Sequence, residues 1–249
     1  DMVRAQKLLL DRLGISRLLS VCGGSMGGMQ ALQWVVTYPE MVASCIPIAC
    51  THKHSPMQIA FNEVGRQAIM RDPNWRGGDY YGGEGPDAGL TVARMIGHVT
   101  YLSDESMRDK FGRRLRQKEV FGYDFASVDF EVESYLKHQG EVFIRRFDAN
   151  SYLILNKAMD LHDLGRGRGG LANAFARIAV PVLTMSISSD TLYPPRQQLE
   201  LRDGLLAAGR QCEHVLIESP QGHDGFLLET DEIGAAVADL LTSVEKRDA

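Results

Sequence analysis

Hydrophobic and charged residues alternate at helical spacing over residues 2–13, which predicts an amphipathic helix there. The apolar stretch SRLLSVCG follows and predicts a short buried strand at 18–22. A helical pattern then ends before Pro39, and the apolar run VASCIPIAC predicts a second strand at 42–50. This α-β-α-β order is typical of a parallel sheet whose strands are joined by crossover helices.

The hydrophobic pattern changes after residue 52, and no convincing strand is predicted before residue 165. Periodicity predicts helices at 55–71, 88–102, 104–117, 128–138 and 149–160. The segment LGRGRGG at 164–170 predicts a flexible linker at the end of this helical region. We interpret the region as an insertion of helices into an α/β core.

The α/β pattern returns after the linker. It predicts a strand at 180–187, a helix at 195–208, a strand in EHVLIES and a final helix at 231–245. The predicted organisation is a first part of the core at 1–52, a helical insertion at 53–165 and a second part of the core at 166–249.

Composition narrows the function without deciding it. The net charge of −5 argues against a nucleic-acid surface, which needs an excess of basic residues. No apolar run approaches the ~20 residues of a membrane-spanning helix, and no secretory signal is recognisable, so we expect a cytoplasmic protein without a membrane partner. The sequence THKH (His52, His54) has no third ligand nearby, so we expect no metal site.

The segment GGSMG places Ser25 between the first predicted strand and the helix that follows it. A serine hydroxyl is a poor nucleophile until a base removes its proton, and a sharp strand-to-helix turn with small flanking residues exposes it for that chemistry. The backbone N–H of Met26 would then supply one donor of an oxyanion hole. The alternative is a glycine-rich turn without chemistry; a phosphate-binding loop is disfavoured because no Lys-Ser/Thr pair follows.

An acid and a histidine follow Ser25 in the chain order that this architecture requires. Asp190 comes directly after the strand VPVLTMSIS, and His223 lies in the loop after HVLIES. His223 would take the proton from Ser25, and Asp190 would hold the imidazole in the correct tautomer. Taken singly, the aspartate is equally typical of a turn or helix cap and the histidine of a solvated loop. Three such residues in order favour a serine-nucleophile α/β-hydrolase fold.

Longer strings resemble the homoserine O-acetyltransferase family of methionine biosynthesis along nearly the whole chain. They are GGSMGGMQALQW, FNEVGRQAI, DPNWRGGDYY, GLTVARMIGHVTYLSD, VESYLKHQG, RFDANSYL and QGHDGFL. The resemblance implies an α/β-hydrolase fold with a helical lid and a homodimer formed through that lid. It implies transfer of an acetyl group from acetyl-CoA to the hydroxyl of L-homoserine through an acyl-serine intermediate. Acetyl-CoA is then a co-substrate, and no further cofactor is expected.

The resemblance also carries residue roles. Ser25 looks like the family's nucleophile, with Asp190 and His223 as its partners. Arg94 and Tyr101 resemble residues of the family's active tunnel, the arginine being expected to meet the homoserine carboxylate.

Asp224 resembles the residue that meets the homoserine amino group. Arg94 and Tyr101 are seven residues apart and share a helix face with His98 between them. That face could equally be solvated, and Asp224 could simply cap the next helix.

The family has a further segment before this point, which carries the first strands of the sheet and the second oxyanion donor. The resemblance therefore predicts that the chain is a fragment, a cleaved product or a part of a longer protein. The strand at 18–22 would then expose a sheet edge or an apolar face, and activity from these 249 residues alone is in doubt.

Several functions stay open at this point. Succinyl-CoA is an alternative acyl donor and L-serine an alternative acceptor. A plain esterase would use the same three residues with water as the acceptor. A non-catalytic scaffold is the alternative from another class of function.

Overall fold

The computed structural model describes residues 1–116, 119–120, 122–123 and 128–248. The strands are β1 Val21–Gly24, β2 Cys45–Ile48, β3 Val182–Ile187 and β4 Cys212–Ile217. The first helices are α1 Met2–Arg12, α2 Met26–Thr37, α3 Pro56–Met70, α4 Asp87–Tyr101, α5 Asp104–Lys110 and α6 Glu131–Phe143. The remaining α-helices are α7 Ala149–Asp160, α8 Leu171–Ala176, α9 Pro195–Ala207, α10 Gly225–Leu228 and α11 Thr230–Asp248. Short 3-10 helices occupy Pro39–Met41, Pro73–Gly78 and Gly222–Asp224.

The chain forms two compact units. A core unit combines Asp1–Lys53 with His162–Ala249, and a helical unit consists of His54–Leu161. The core unit holds the sheet, with helices between successive strands, and the helical unit holds α3 to α7.

The sheet of the core unit has the strand order β1-β2-β3-β4. Each neighbouring pair is parallel, as the sequence predicts. The register pairs Gly24 with Ile48, Ile48 with Met185, and Ile187 with Ile217. Because parallel strands run in one direction, the chain leaves all four at the same edge of the sheet, where α/β folds bind ligands.

The centre of the sheet is hydrophobic because β2 and β3 are covered on both faces. Its buried cluster consists of Ile46, Ile48, Ala49, Leu183, Met185, Ile187 and Ile217. Apolar side chains of α11, among them Ile233, Val237 and Leu240, pack against it. Burial of each large aliphatic side chain is worth about 1.5–3 kcal/mol. The edge that carries the candidate site therefore rests on a rigid layer.

The helical unit has a core of its own. Ile69, Tyr80, Leu90, Ala93, Phe143 and Ala149 form its buried cluster. Helix α3 begins with a capping box, in which the Ser55 side chain accepts from Gln58 N and the Gln58 side chain accepts from Ser55 N. The predicted helices at 55–71, 88–102 and 149–160 agree with α3, α4 and α7 within one residue at each end.

Two predicted elements differ in their bounds. The predicted helix 104–117 is wrong beyond Lys110, because Gly112 adopts φ 53°, a left-handed conformation that ends a helix. Residue 117 lies outside the described residues. The helix predicted at 128–138 begins at Glu131 and continues to Phe143.

The strands are shorter than their apolar runs. The strand predicted at 18–22 occupies Val21–Gly24, and Leu18 contributes only an isolated bridge to Val42. The strand predicted at 42–50 occupies Cys45–Ile48.

The segment predicted as a flexible linker forms turns that are bonded to the core. Leu164 is buried and donates its N–H to His52 O at 2.9 Å. Arg168 donates to Gln33 Oε1 at 2.9 Å and to Leu164 O at 3.0 Å. Helix α8 follows this segment and was not predicted, since six residues are too few for a helical period.

The described residues include all four cysteines, each with a free thiol. Burial raises the pKa of Cys50 to about 12, so this thiol is protonated at neutral pH.

Within the described ranges, we find no helix with the length and apolar character needed to span a membrane.

Candidate active site

Ser25 stands at the turn between β1 and α2 in an unusual backbone conformation. Its φ is 54° and its ψ is −123°. Non-glycine residues adopt such angles at a cost on the order of 1–3 kcal/mol, and only where surrounding structure holds them. Ser25 N donates to Ile48 O at 2.9 Å, and Ser25 O accepts from Gly28 N at 3.0 Å. The end of β2 and the first turn of α2 therefore hold the turn in place.

Three of the four glycines around Ser25, namely Gly23, Gly24 and Gly28, are required by close packing. A Cβ atom on Gly23 would lie 2.5 Å from the carbonyl carbon of Gly27. On Gly28 it would lie 2.7 Å from Cys50 Sγ, and on Gly24 it would overlap the ring of Phe226. The sequence predicts small residues here, and these contacts give the physical reason.

Met26 is the first residue of α2. Backbone N–H groups in the first turn of a helix have no acceptor within the helix, and the helix dipole favours negative charge there. The Met26 N–H is thus suited to stabilise an oxyanion that forms on an acyl group attached to Ser25.

Asp190 and His223 form a buried hydrogen-bonded pair. His223 Nδ1 lies 2.7 Å from Asp190 Oδ2, and the two residues are 3% and 2% exposed, respectively. The other carboxylate oxygen, Oδ1, accepts from Leu192 N and Tyr193 N at 2.8 Å each. Because the carboxylate accepts, Nδ1 of His223 carries the proton, which leaves Nε2 as the basic nitrogen.

The histidine loop contacts the serine turn through Phe226. The ring of Phe226 has its centroid 5.2 Å from that of His223 and fills the space beside Gly24. Tyr193 lies on His223 as well, at a centroid distance of 5.2 Å. The structure thus brings the three predicted residues to one edge of the sheet. Phe226 and Tyr193 were missed because their roles depend on contacts between loops.

Asp224 follows His223 and is the residue before α10. Its side chain makes no capping hydrogen bond to α10 in the part of the chain that the structure describes. Its carboxylate therefore does not serve as the helix cap that the sequence leaves open.

Arg94, His98 and Tyr101 share a face of α4 in the helical unit. The Arg94 guanidinium lies 4.6 Å from the ring centroid of Phe143 and 5.7 Å from that of Tyr101. Arg94 Nε is buried and lacks a hydrogen-bond partner among the described residues. An arginine that is packed against aromatic rings and has an unsatisfied N–H donor can bind a planar anion such as a carboxylate.

His98 is only 6% exposed, so this face of α4 is not the solvated surface that the sequence leaves open. Its Nδ1 lies 2.9 Å from Tyr135 Oη, and its ring lies 5.6 Å from that of Tyr101. Burial, followed by the charges of Arg94, Lys110 and Arg146, lowers the pKa of His98 to about 4. His98 is therefore neutral at pH 7.

No group of three or more metal-ligating side chains occurs in the residues that the structure describes. His52 packs edge-on against Phe175 in the core unit, at a centroid distance of 6.2 Å. His54 belongs to the helical unit, where its Nδ1 lies 3.5 Å from Asp160 Oδ1.

Comparison with known proteins is consistent with this geometry. The model of the α/β hydrolase fold family matches residues 1–230. The chain belongs to the α/β hydrolase fold family. This confirms the fold class predicted from the order of elements and from Ser25.

Within that family, the chain is 50% identical over 242 residues to the homoserine O-acetyltransferase of Methanococcus vannielii. That match covers 97% of this chain and 49% of the relative. The chain spans about half to two thirds of the length of the curated homoserine O-acetyltransferases it matches.

Solved α/β hydrolases share its architecture. The homoserine O-acetyltransferase from Bacillus anthracis superimposes with a TM-score of 0.89 at 29% identity, covering 96% of this chain and 64% of that one. Esterase E22 superimposes with a TM-score of 0.87 at 26% identity, covering 96% and 65%. The likeness to homoserine O-acetyltransferases stated from the sequence is thus confirmed.

Proposed function

We propose that this chain carries the nucleophile, acid and base of an acyltransferase that moves an acetyl group from acetyl-CoA to the hydroxyl of L-homoserine. The observation that carries the proposal is the hydrogen bond from His223 Nδ1 to Asp190 Oδ2 at the sheet edge that bears the strained Ser25. Similarity to curated homoserine O-acetyltransferases supports the choice of reaction.

The first half-reaction acylates Ser25. Nε2 of His223 takes the hydroxyl proton as Oγ attacks the thioester carbonyl carbon, and the Met26 N–H stabilises the oxyanion. The C–S bond then breaks, the thiolate of coenzyme A leaves, and the imidazolium returns the proton to it. Asp190 stabilises the imidazolium throughout without becoming protonated.

The second half-reaction transfers the acetyl group. The homoserine hydroxyl gives its proton to His223 Nε2 and attacks the acyl carbon, and Ser25 Oγ leaves with the proton that the imidazolium returns. Water must be kept from the acyl-serine during this step, because hydrolysis competes with transfer.

Arg94, Tyr101 and Asp224 are the acceptor-binding residues in this proposal. Homoserine carries a carboxylate and an ammonium group, for which a guanidinium and an aspartate are chemically suited. The buried, unsatisfied Nε of Arg94 supports the first of these pairings.

The acyl donor is tested by competition. Acetyl-CoA and succinyl-CoA at equal concentration are mixed with the full-length protein, and the adduct on Ser25 is weighed by mass spectrometry. We expect an acetyl adduct, and no adduct on the Ser25→Ala variant. A succinyl adduct as the main species would contradict the proposed donor.

The acceptor is tested on the acetylated protein. L-homoserine, L-serine and water are compared for the rate at which each removes the adduct. Fastest loss with homoserine, together with O-acetylhomoserine as product, supports the proposal. Preference for serine would assign a serine acyltransferase instead.

An esterase is the second candidate, supported by the structural likeness to esterase E22. It would release acetate at a rate that homoserine does not change. A non-catalytic scaffold would form no adduct at all. The homodimer through the helical unit stays a prediction, and sedimentation of the full-length protein at several concentrations tests it.

A further inference from the structure

The loops after β3 and β4 are joined by serine side chains next to the Asp190–His223 pair. Ser189 Oγ donates to Ser219 O at 2.6 Å and accepts from Gly222 N at 2.8 Å. Ser188 Oγ accepts from Ser219 N at 3.0 Å and donates to Ser219 O at 3.3 Å. Both loops thus meet through hydroxyl groups as well as through the acid and the base.

We propose that Ser189 is a positioning residue that sets the place of His223 relative to Asp190. This inference rests on the proposed function, in which that pair activates Ser25. Ser189 immediately precedes Asp190, and Gly222 immediately precedes His223. The hydroxyl therefore bridges the backbone next to the acid and the backbone next to the base, beside the 2.7 Å hydrogen bond between their side chains.

The flexibility of Gly222 makes the position of His223 depend on this hydrogen bond. Its φ is 71°, so its peptide adopts a conformation that glycine enters and leaves without steric penalty. The hydrogen bond from its N–H to Ser189 Oγ fixes that peptide, and the next residue carries the imidazole. Loss of the bond lets the 3-10 turn Gly222–Asp224 shift, and a shift of about 1 Å in a catalytic group costs ~100-fold in rate.

The rest of the loop has independent support. Ser219 Oγ donates to Glu229 Oε1 at 2.6 Å and accepts from Gln221 N at 3.1 Å. Ser188 holds the backbone of Ser219 by the two bonds described above. Removal of the Ser189 hydroxyl therefore leaves Ser219 bonded to Ser188 but deletes the hydrogen bond to the turn that carries His223.

Ser188 gives a matched control for this reason. The Ser188→Ala variant loses bonds between the same two loops but keeps the bond at Gly222. The Ser189→Thr variant keeps the hydroxyl at the site and is the conservative rescue. A role limited to loop stability predicts equal effects for Ser188→Ala and Ser189→Ala.

The experiment measures the rate constant for labelling of Ser25 by a fluorophosphonate in the full-length protein and its variants. The low-field proton resonance of His223 Nδ1–H is recorded on the same samples. We expect Ser189→Ala to label about 10- to 100-fold more slowly and to shift or broaden that resonance. Ser188→Ala should change the rate less than about 3-fold, and Ser189→Thr should recover most of it.

Wild-type labelling and an unchanged resonance in Ser189→Ala would overturn the proposal, as would an equal loss in Ser188→Ala. If Ser189→Ala does not fold, Ser189→Cys, whose sulfur is a weak acceptor for the Gly222 N–H, replaces it under the same criteria. Labelling needs neither acetyl-CoA nor homoserine. A wild-type protein that labels but does not transfer acetyl groups would therefore refute the acyltransferase while the positioning role stands.

Discussion

A Cβ atom on Gly24 would overlap the ring of Phe226, whose centroid lies 5.2 Å from that of His223. Gly24, the residue before Ser25, thus sets the position of the ring that packs on His223. The link explains why a position next to Ser25 tolerates no side chain, although Gly24 itself takes no part in the chemistry.

We predict that Gly24→Ala displaces Phe226 and His223. Overpacking of this kind costs about 1–3 kcal/mol of stability, and a misplaced base lowers kcat ~100-fold. Urea unfolding and acyl-transfer kinetics measure the two effects. Gly27→Ala is the control for stability, because its Cβ would meet no described atom within 4 Å beyond its own helix. Equal stability of the two variants would contradict the prediction.

Asp190→Asn should separate folding from chemistry. The asparagine oxygen can still accept from Leu192 N and Tyr193 N, which preserves the loop. Its amide nitrogen faces His223 Nδ1 and favours the wrong tautomer, so kcat should fall ~10⁴-fold with little change in KM. Steady-state kinetics at several pH values test this. A variant with more than a tenth of the wild-type kcat would remove Asp190 from the proposed mechanism.

Arg94→Lys tests the proposed role of Arg94 in binding the acceptor. Lysine keeps the charge but loses the planar fork that binds a carboxylate through two hydrogen bonds, so we expect KM for homoserine to rise about 10-fold or more. The rate of Ser25 acylation by acetyl-CoA should not change. Arg108→Lys is the control, since Arg108 lies on α5 in an exposed ion pair with Asp104. An unchanged KM in Arg94→Lys would contradict the amino-acid acceptor.

His98 makes stability depend on pH. Its pKa is about 4 in the folded chain, against the ordinary histidine value of 6.5, so the unfolded chain binds more protons between these values. Stability is therefore unaffected above pH 6.5 and falls as the pH decreases from 6.5 towards 4. The loss should be about 1–2 kcal/mol after screening by solvent. Urea unfolding at about pH 7 and pH 5 should show a smaller difference in His98→Asn than in the wild type, and an equal difference would contradict this assignment.

Sequence patterns predicted the long helices and the place of the candidate residues at the sheet. Helices α3, α4 and α7 have enough turns for a clear hydrophobic period. Parallel strands bring Ser25, Asp190 and His223 to one edge of the sheet, and this does not depend on the exact residue at which each strand ends. The catalytic roles of these three residues stay predictions, and their geometry is compatible with the chemistry proposed for each.

Other features depend on contacts that no local pattern records. Tyr135 is 37 residues from His98 in the chain, and the bond from Gly222 to Ser189 spans 33. Serines in turns are common in any sequence, so nothing at Ser189 distinguishes it until the fold is known. The end of α5 was missed for a different reason. The hydrophobic period in the sequence continues past Gly112, but the backbone at Gly112 leaves the helical conformation.

The strained backbone of Ser25 has an evolutionary consequence. Glycine enters φ 54° more readily than serine does, so the exchange Ser25→Gly would be expected to make the chain easier to fold. Selection for stability alone would then drive this position towards glycine. A homologue that does not use this hydroxyl as a nucleophile is therefore expected to carry glycine here, and serine is expected where the hydroxyl is used.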